Sequence, residues 1–545
     1  MSTSDQVNSI ELSPALTPVL SDRFVARWSH VAVTATYAIV FLLISYLPIS
    51  NVETWQHLNQ GRWILSHQAL PSAAPGLSLA EGMPYQNHQW LSEIILAKTY
   101  QWWGAEGLGT LNALTCLAVM VLLAVTAFQL CRSKALAVFT MLISLAAVWP
   151  ELNLMSPRMF TLLMLAANLA LMTHIRFRCR NFPGFLHGLA LCVGMTLWAN
   201  LDASFMIGLF VLGSVAIGRV IDLLGRRRSL FAVFEDVSCR RWIWIFELAI
   251  VATCVNPYGY GVYTQLFSRA GNSVLSSLGG LQPLNPMTWF GVAVIALVWM
   301  TMVALRYSNK RLSGAQMFCL SAGTFGVIFN QSLVLFFAPI AVMSLLPHLR
   351  SILRRQGWLR NESNNEFSDS DHPGASTHQS HKFALSLICV LFVWIGFSLS
   401  PLSRPFLGGK GRSTEQLYDA ETPLGVAAFL HKCDPEAFVW SPAYWGDWIN
   451  WTQGPEVKVF ANSNSRLLPQ QVKFDYGLVF RGEASFERTL DRYQVDLLVA
   501  DKARQTDLIK KAASGQSAWK MVYEDRQAAI FARRDASLNS GRSRS

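Results

Sequence analysis

The feature that most constrains this chain is a series of long apolar segments whose connecting loops alternate between basic and nearly uncharged. Segments of roughly the length that crosses a bilayer fall at about 29–48, 107–130, 134–149, 159–175, 184–200, 203–223, 242–256, 288–305, 314–329, 331–347 and 383–400. One set of alternate loops carries Arg132 and Lys134, then Arg176, Arg178 and Arg180, then Arg226 to Arg228 with Arg240 and Arg241, then Arg306, Lys310 and Arg311, then Arg350, Arg354 and Arg355. The other set holds little more than Arg62, Lys98, Arg158 and Arg269. Eleven spans put every basic cluster on one side, which the positive-inside rule makes the cytoplasm. The expected fold is a polytopic α-helical membrane protein of about eleven transmembrane helices, with its N-terminus cytoplasmic, in a cell inner (plasma) membrane.

Composition agrees. The chain is 52% hydrophobic and 14% charged, where a soluble domain carries roughly a quarter charged residues. The net charge of +11 is accounted for by the loop clusters, and no RNA- or DNA-binding motif accompanies it, so nucleic acid is not an expected partner. Nine cysteines are present, mostly in or beside apolar segments and without a CxxC, which argues against a cysteine metal site. Residues 1–27 are polar and read as a disordered cytoplasmic segment; they lack the basic start and small-residue cleavage site of a removable signal peptide. Residues 28–400 form the expected membrane domain, with a long exterior loop at 49–105 and a polar cytoplasmic linker at 356–382. Residues 415–535 change character: AFVWSPAYW, VKVFAN, VDLLVAD and AAIFARR read as strands, and PLGVAAFLHK, SFERTLDRY and QTDLIKKAAS as amphipathic helices. They predict a small exterior α/β domain, followed by a frayed tail at 536–545.

The loop from Asn51 to Trp103 gathers Glu53, His57, Arg62, His88 and Glu93 beside Trp55, Trp63, Trp90, Trp102 and Trp103. A carboxylate held just above a membrane is placed to deprotonate an acceptor hydroxyl. Glu53 and His57 are four apart and share a helical face. Arg62 and Arg158 sit on the side otherwise poor in basic residues, so orientation does not explain them; phosphate binding is one reading, and a lipid headgroup or a carboxylate partner the other. Asn200 and Asp202 mark a tight turn between two spans, where a carboxylate is costly. His88 and Glu93 are five apart and do not align on a straight helix, so Glu93 is also read as the structural partner of a loop arginine. The tryptophans read as an interface belt. Trp440, Tyr444, Trp445, Trp448 and Trp451 read as a strand core or a contact with the membrane domain, ahead of a carbohydrate platform.

The order Asn51-x-Glu53-x-Trp55-x-His57-Leu58, then Gly61-Arg62-Trp63, then Asn87-His88-x-Trp90-Leu91-Ser92-Glu93, resembles the GT-C superfamily of integral-membrane glycosyltransferases. More narrowly, it resembles large bacterial membrane proteins of the glycosyltransferase 39, or dolichyl-phosphate-mannose-protein mannosyltransferase-like, type. Ser156-Pro157-Arg158-Met159-Phe160, Trp198-Ala-Asn200-Leu-Asp202, Asn256-Pro257-Tyr258-Gly259 and Trp445-Gly446-Asp447-Trp448 extend the likeness over most of the chain. The resemblance implies transfer of a sugar from a polyprenyl-phosphate donor to an exterior glycan, lipid or protein acceptor. Glu53 and Asp202 are then the expected catalytic carboxylates, and His57, Arg62, His88, Glu93, Arg158 and Asn200 the expected substrate-binding set. The family's acidic pair is reduced here to Asn51 and Glu53, so a divalent metal is not supported, and a non-catalytic lipid- or glycan-binding envelope protein is the alternative. A transporter is a weaker third reading, because no internal repeat is visible and the polar residues gather at one edge.

Overall fold

The computed structural model describes residues 26, 28–50, 53–80, 82–83, 85–149, 155–267, 283–358, 375–433, 437–454 and 457–534. The expectations for the N-terminal segment to residue 25, Asn51, Arg269, most of the 356–382 linker and the 536–545 tail lie outside them.

A helix stands at each of the eleven apolar segments. In chain order these are α1 (Trp28–Ser45), then after the loop helix α2 (Thr54–His67) come α3 (Trp90–Cys131), α4 (Lys134–Val148), α5 (Arg158–Arg178), α6 (Phe185–Leu201), α7 (Phe205–Arg227), α8 (Val237–Thr253), α9 (Trp289–Tyr307), α10 (Gly314–Phe329), α11 (Val334–Arg355) and α12 (Ala375–Ser398). Five of them are long and apolar enough to cross a membrane by themselves: α1, α3, α5, α7 and α11. A sixth is added if the end of α12 and the short helix after it, bent by 79°, count as one span. The protein is thus a multi-pass membrane protein, and eleven full crossings remain an expectation. Of these five, α11 is the most enclosed, with 78% of its apolar stretch buried.

The 42-residue α3 begins far earlier than the apolar run within it. Gly104, at φ 62 and ψ −154, kinks it; an L side chain there would be strained, and glycine is not. The part before the kink packs on α2; the part after it is the span. Gly61 of α2 makes that packing possible, because a Cβ at this position would collide with the Glu93 carbonyl. Trp102 and Trp103, beside the kink, are exposed at 69% and 52%, as an interface belt requires.

The C-terminal domain is a five-stranded sheet flanked by short helices. Its strands are β1 (Phe438–Trp440), β2 (Lys458–Val459), β3 (Leu497–Asp501), β4 (Trp519–Glu524) and β5 (Ala528–Arg533), in the order β2-β1-β3-β5-β4. β1 pairs in parallel with β2 and β3, and β5 is antiparallel to β3 and β4. All five β3 residues are buried, so its apolar run packs on both faces. The sequence expectation of one strand across AFVWSPAYW is corrected: β1 ends at Trp440, and a helix, α13 (Ala443–Gln453), starts after Pro442. Proline supplies no ladder N–H and pre-sets φ for a helix start, and Trp445, Trp448 and Ile449 then fall on one buried face. β4 was not foreseen; its residues alternate only weakly between buried and open.

α13 seats the domain on α2. Trp448 lies 4.5 Å from Trp55 between ring centroids, and Trp451 6.1 Å. Trp55 is fully buried, which corrects its assignment to the belt. The same seam gives Arg62 its place: its guanidinium donates to the carbonyls of Asn450 and Trp451, each at 3.0 Å, and to Asn59 Oδ1, while stacking 4.4 Å over Trp451. A second tether joins Glu106 of α3 to Arg404 and Arg412, with Arg412 Nε 2.9 Å from the carboxylate.

Candidate functional site

The seam between α2, the start of α5 and the C-terminal domain encloses a polar cavity of about 210 Å³. Its walls are Glu53, Gln56, His57, Gln89, Ser156, Pro157, Arg158, Ser463 and Arg466. Glu53 reaches it through an unusual backbone: it caps α2 in the left-handed region at φ 62 and makes no side-chain capping bond. A non-glycine residue held there carries strain of about 1–3 kcal/mol, a cost that recurs at functional positions. The carboxylate straddles Arg158, whose Nη2 lies 3.4 and 3.5 Å from its two oxygens. Arg158 opens α5 just after Ser156-Pro157, and its side chain is 13% exposed against 33% for Glu53. Both residues line the cavity wall.

His57 stands one turn after Glu53 and also faces the cavity. Behind it, Nδ1 lies 3.0 Å from Glu93 Oε1, with both side chains buried. Glu93 therefore backs a histidine, which corrects the reading that paired it with a loop arginine. Its other oxygen accepts from Asn87 Nδ2. A carboxylate behind an imidazole fixes ring orientation and tautomer. The His88 ring packs edge-on against Tyr258 at 5.3 Å and does not line the cavity.

Asp202 is also relocated. It is fully buried and saturated: Oδ2 accepts from Thr161 Oγ1 at 2.7 Å and the Ser204 backbone N–H at 2.9 Å, and Oδ1 accepts from Gln89 Nε2 at 2.7 Å. It touches the cavity only by holding Gln89. Asn200 accepts from Trp90 Nε1 at 3.1 Å and donates to the Thr196 and Val255 carbonyls. Both residues tie α5, α6 and the start of α3 together, because a tight turn between buried helices leaves backbone and side-chain groups that only local partners can satisfy. Replacing Asp202 by Ala strips three buried partners at once. It is expected to cost about 3 kcal/mol or more, read as a large drop in apparent Tm in detergent; an unchanged Tm would show that the knot carries no stability.

Residues that sequence reasoning missed come from the C-terminal domain. Gln56 Nε2 donates to Asn464 Oδ1 at 2.9 Å, drawing the Ser463–Arg466 loop over the cavity. Arg466 is largely enclosed, and burial lowers its pKa while Tyr85 and Glu53 oppose the shift; a guanidinium stays charged at any working pH. Next to it, Asp447 of α13 is buried and accepts from the Ser463 backbone N–H at 2.9 Å. Burial pushes its carboxyl up to about 6, against the pull of Ser463 and His57. With the folded value above the unfolded one, the folded protein holds the extra proton, so stability is greatest below the ordinary carboxylate range and falls as pH rises through about 6. Asp447→Asn keeps an acceptor for Ser463 without the charge. Its thermal midpoint is expected to gain on the wild type between pH 4 and 7, by an amount equivalent to about 3 kcal/mol; parallel pH curves would contradict this.

A second cavity adjoins the first. It is narrow, about 40 Å³, and nearly all apolar, running between α3, α5 and α11 past Val119, Met120, Leu123, Leu162 and Leu335. Ser156 and Arg158 belong to both walls. Among the described residues, the side chains that come close enough to share a metal ion, His174, Cys179 and His187, lie where α5 ends and α6 begins, away from this cavity.

No protein-family model matches the chain, and no curated protein matches it by sequence. Solved structures do. The Archaeoglobus fulgidus oligosaccharyltransferase, tethered through a disulfide to an acceptor peptide containing the NVT sequon, superposes with a TM-score of 0.51 at 11% identity, over 87% of this chain and 69% of that one. Its apo form gives 0.50 at 11% identity, over 94% and 75%. ArnT from Cupriavidus metallidurans, bound to undecaprenyl phosphate, gives 0.47 at 14% identity, over 93% and 98%. The chain therefore shares its overall fold with the Archaeoglobus fulgidus oligosaccharyltransferase.

Proposed function

We propose that the chain is a glycosyltransferase that moves a sugar from a polyprenyl-phosphate donor to an acceptor on the exterior face of the membrane. The observation that carries this reading is the junction at Ser156–Arg158, where a narrow apolar cavity between membrane helices shares its wall with a polar cavity lined by one carboxylate and two guanidiniums. Such a junction fits an amphipathic ligand whose phosphate sits at the boundary. The prenyl chain lies along Val119, Leu162 and Leu335, the phosphate meets Arg158 and Arg466, and the sugar faces Glu53.

Glu53 then takes the proton of the acceptor hydroxyl as its oxygen attacks the anomeric carbon. The bond from that carbon to the phosphate oxygen breaks, and polyprenyl phosphate leaves with the electron pair. Arg158 and Arg466 stabilise the charge that develops on it. His57, oriented by Glu93, and Gln89, held by Asp202, position sugar hydroxyls. Arg62 and Asn200 act as supports outside the cavity.

The second reading is a binding protein without turnover, favoured by one observation: among the described residues Glu53 is the only carboxylate on the cavity wall, and it is already paired with Arg158. Purified protein in liposomes containing labelled polyprenyl-phosphate sugars separates the two. Transfer of label to added glycan, lipid or peptide acceptors establishes the enzyme, and donor binding with no transfer to any of them establishes the binding protein.

A further inference from the structure

A larger polar cavity, about 300 Å³, lies at the other end of the membrane helices, walled by α5, α7, α10 and α11. Arg158 and Arg176 are 18 residues apart on α5, which separates this cavity from the Glu53 site by about 27 Å. Three arginines face it: Arg176, Arg219 and Arg226. Arg176 and Arg226 are exposed at its rim, where loop charge is expected. Arg219 is different. It stands eight residues inside the end of α7, about 12 Å in from the end of the helix, where a charge is costly and marks function.

Its surroundings do not satisfy it. Nη2 reaches the Asn181 carbonyl and Ser238 Oγ only at 3.4 and 3.5 Å, and Nε is buried without a hydrogen-bond partner. Among the described residues no salt bridge involves any of the three arginines. Among the described residues the one acid in the wall is Asp222, which accepts the Gly314 backbone N–H at 2.8 Å and acts on Arg176 without forming a salt bridge to it. The floor is apolar, with Trp242 and Met343 among its residues.

We propose that this cavity binds a phosphate-bearing anion, and that its occupant is the headgroup of an anionic phospholipid from the leaflet opposite the Glu53 site. A phosphate oxygen supplies the acceptor that Arg219 Nε lacks, the rim arginines neutralise the remaining charge, and the apolar floor accommodates the first part of an acyl chain. Basic pockets between membrane helices take anionic lipid headgroups on these grounds. The site is independent of the proposed transfer reaction.

The test compares the full-length protein with Arg219→Gln and with the rim double variant Arg176→Gln/Arg226→Gln, whose exposed positions leave folding intact. Phosphatidylglycerol and phosphatidylcholine are titrated into each in detergent, and bound lipid is counted by native mass spectrometry. The wild type is expected to prefer phosphatidylglycerol, with affinity falling about fivefold for each arginine removed. Equal binding of both lipids, or phosphatidylglycerol binding unchanged in both variants, overturns the proposal. Inorganic phosphate is the second arm. If it does not displace the lipid, the lipid is the occupant. Displacement from the wild type alone keeps the phosphate site and makes soluble phosphate its source.

Discussion

Glu53→Gln is expected to lower sugar transfer by about 10²–10⁴-fold, the range a positioned general base contributes, while leaving the protein folded and able to bind donor. The amide has the size and shape of the carboxylate but cannot take the acceptor's proton. The same change removes the negative partner of Arg158, 3.4 Å away. Donor affinity should therefore hold or rise, because phosphate no longer competes with Glu53 for the guanidinium. This split between lost turnover and preserved binding distinguishes a base from a structural carboxylate, whose loss would loosen both. Initial rates with labelled donor in proteoliposomes, together with donor titrations, measure the two quantities. Transfer within a few-fold of wild type would remove Glu53 from the mechanism.

Arg158→Gln should produce the complementary pattern. A hydrogen bond to a charged group contributes about 1.5–3 kcal/mol, so donor affinity is expected to weaken by about 10–150-fold. Turnover should fall as well, since the leaving phosphate loses one of its two cations. Arg158→Lys keeps the charge but not the fork that meets two oxygens, so it should recover only part of the loss. Because Glu53 and Arg158 touch, the double variant Glu53→Gln/Arg158→Gln should not show the sum of the two effects. Additive losses would mean that the residues act apart, and donor affinity unaffected by Arg158→Gln would take the phosphate away from this junction.

The positions of the apolar helices were legible because each shows as an apolar run, and five of them among the described residues are long and apolar enough to cross a membrane. Their ends were less so. α3 starts at Trp90, well ahead of its apolar run, because the amphipathic part before Gly104 packs on α2. Of the residues singled out in the loop and beyond it, Glu53, His57 and Arg158 line one cavity. Periodicity placed Glu53 and His57 on one face, and the scarcity of basic residues on that side drew attention to Arg158. The same scarcity misled for Arg62, whose charge is spent on carbonyls of α13, a partner nearly 400 residues away in the chain. Asp202 was read as a catalytic carboxylate because its three hydrogen bonds come from Gln89, Thr161 and Ser204, two of them on other elements and invisible to local sequence. Ser463 and Arg466 carried no signal of their own. Only the docking of α13, through Trp448 and Trp451 on Trp55, brings their loop over the cavity.

The central claim is that a single amphipathic ligand fills both the apolar and the polar cavity through Ser156–Arg158. It is tested most directly by photo-crosslinking with a polyprenyl phosphate carrying a diazirine near the phosphate end of its chain, followed by mapping of the adducts. The account predicts adducts on Val119, Met120, Leu162 and Leu335, lost with Arg158→Gln and prevented by excess unlabelled polyprenyl phosphate. Adducts elsewhere on the membrane surface, or adducts on these residues that persist in Arg158→Gln, would contradict it.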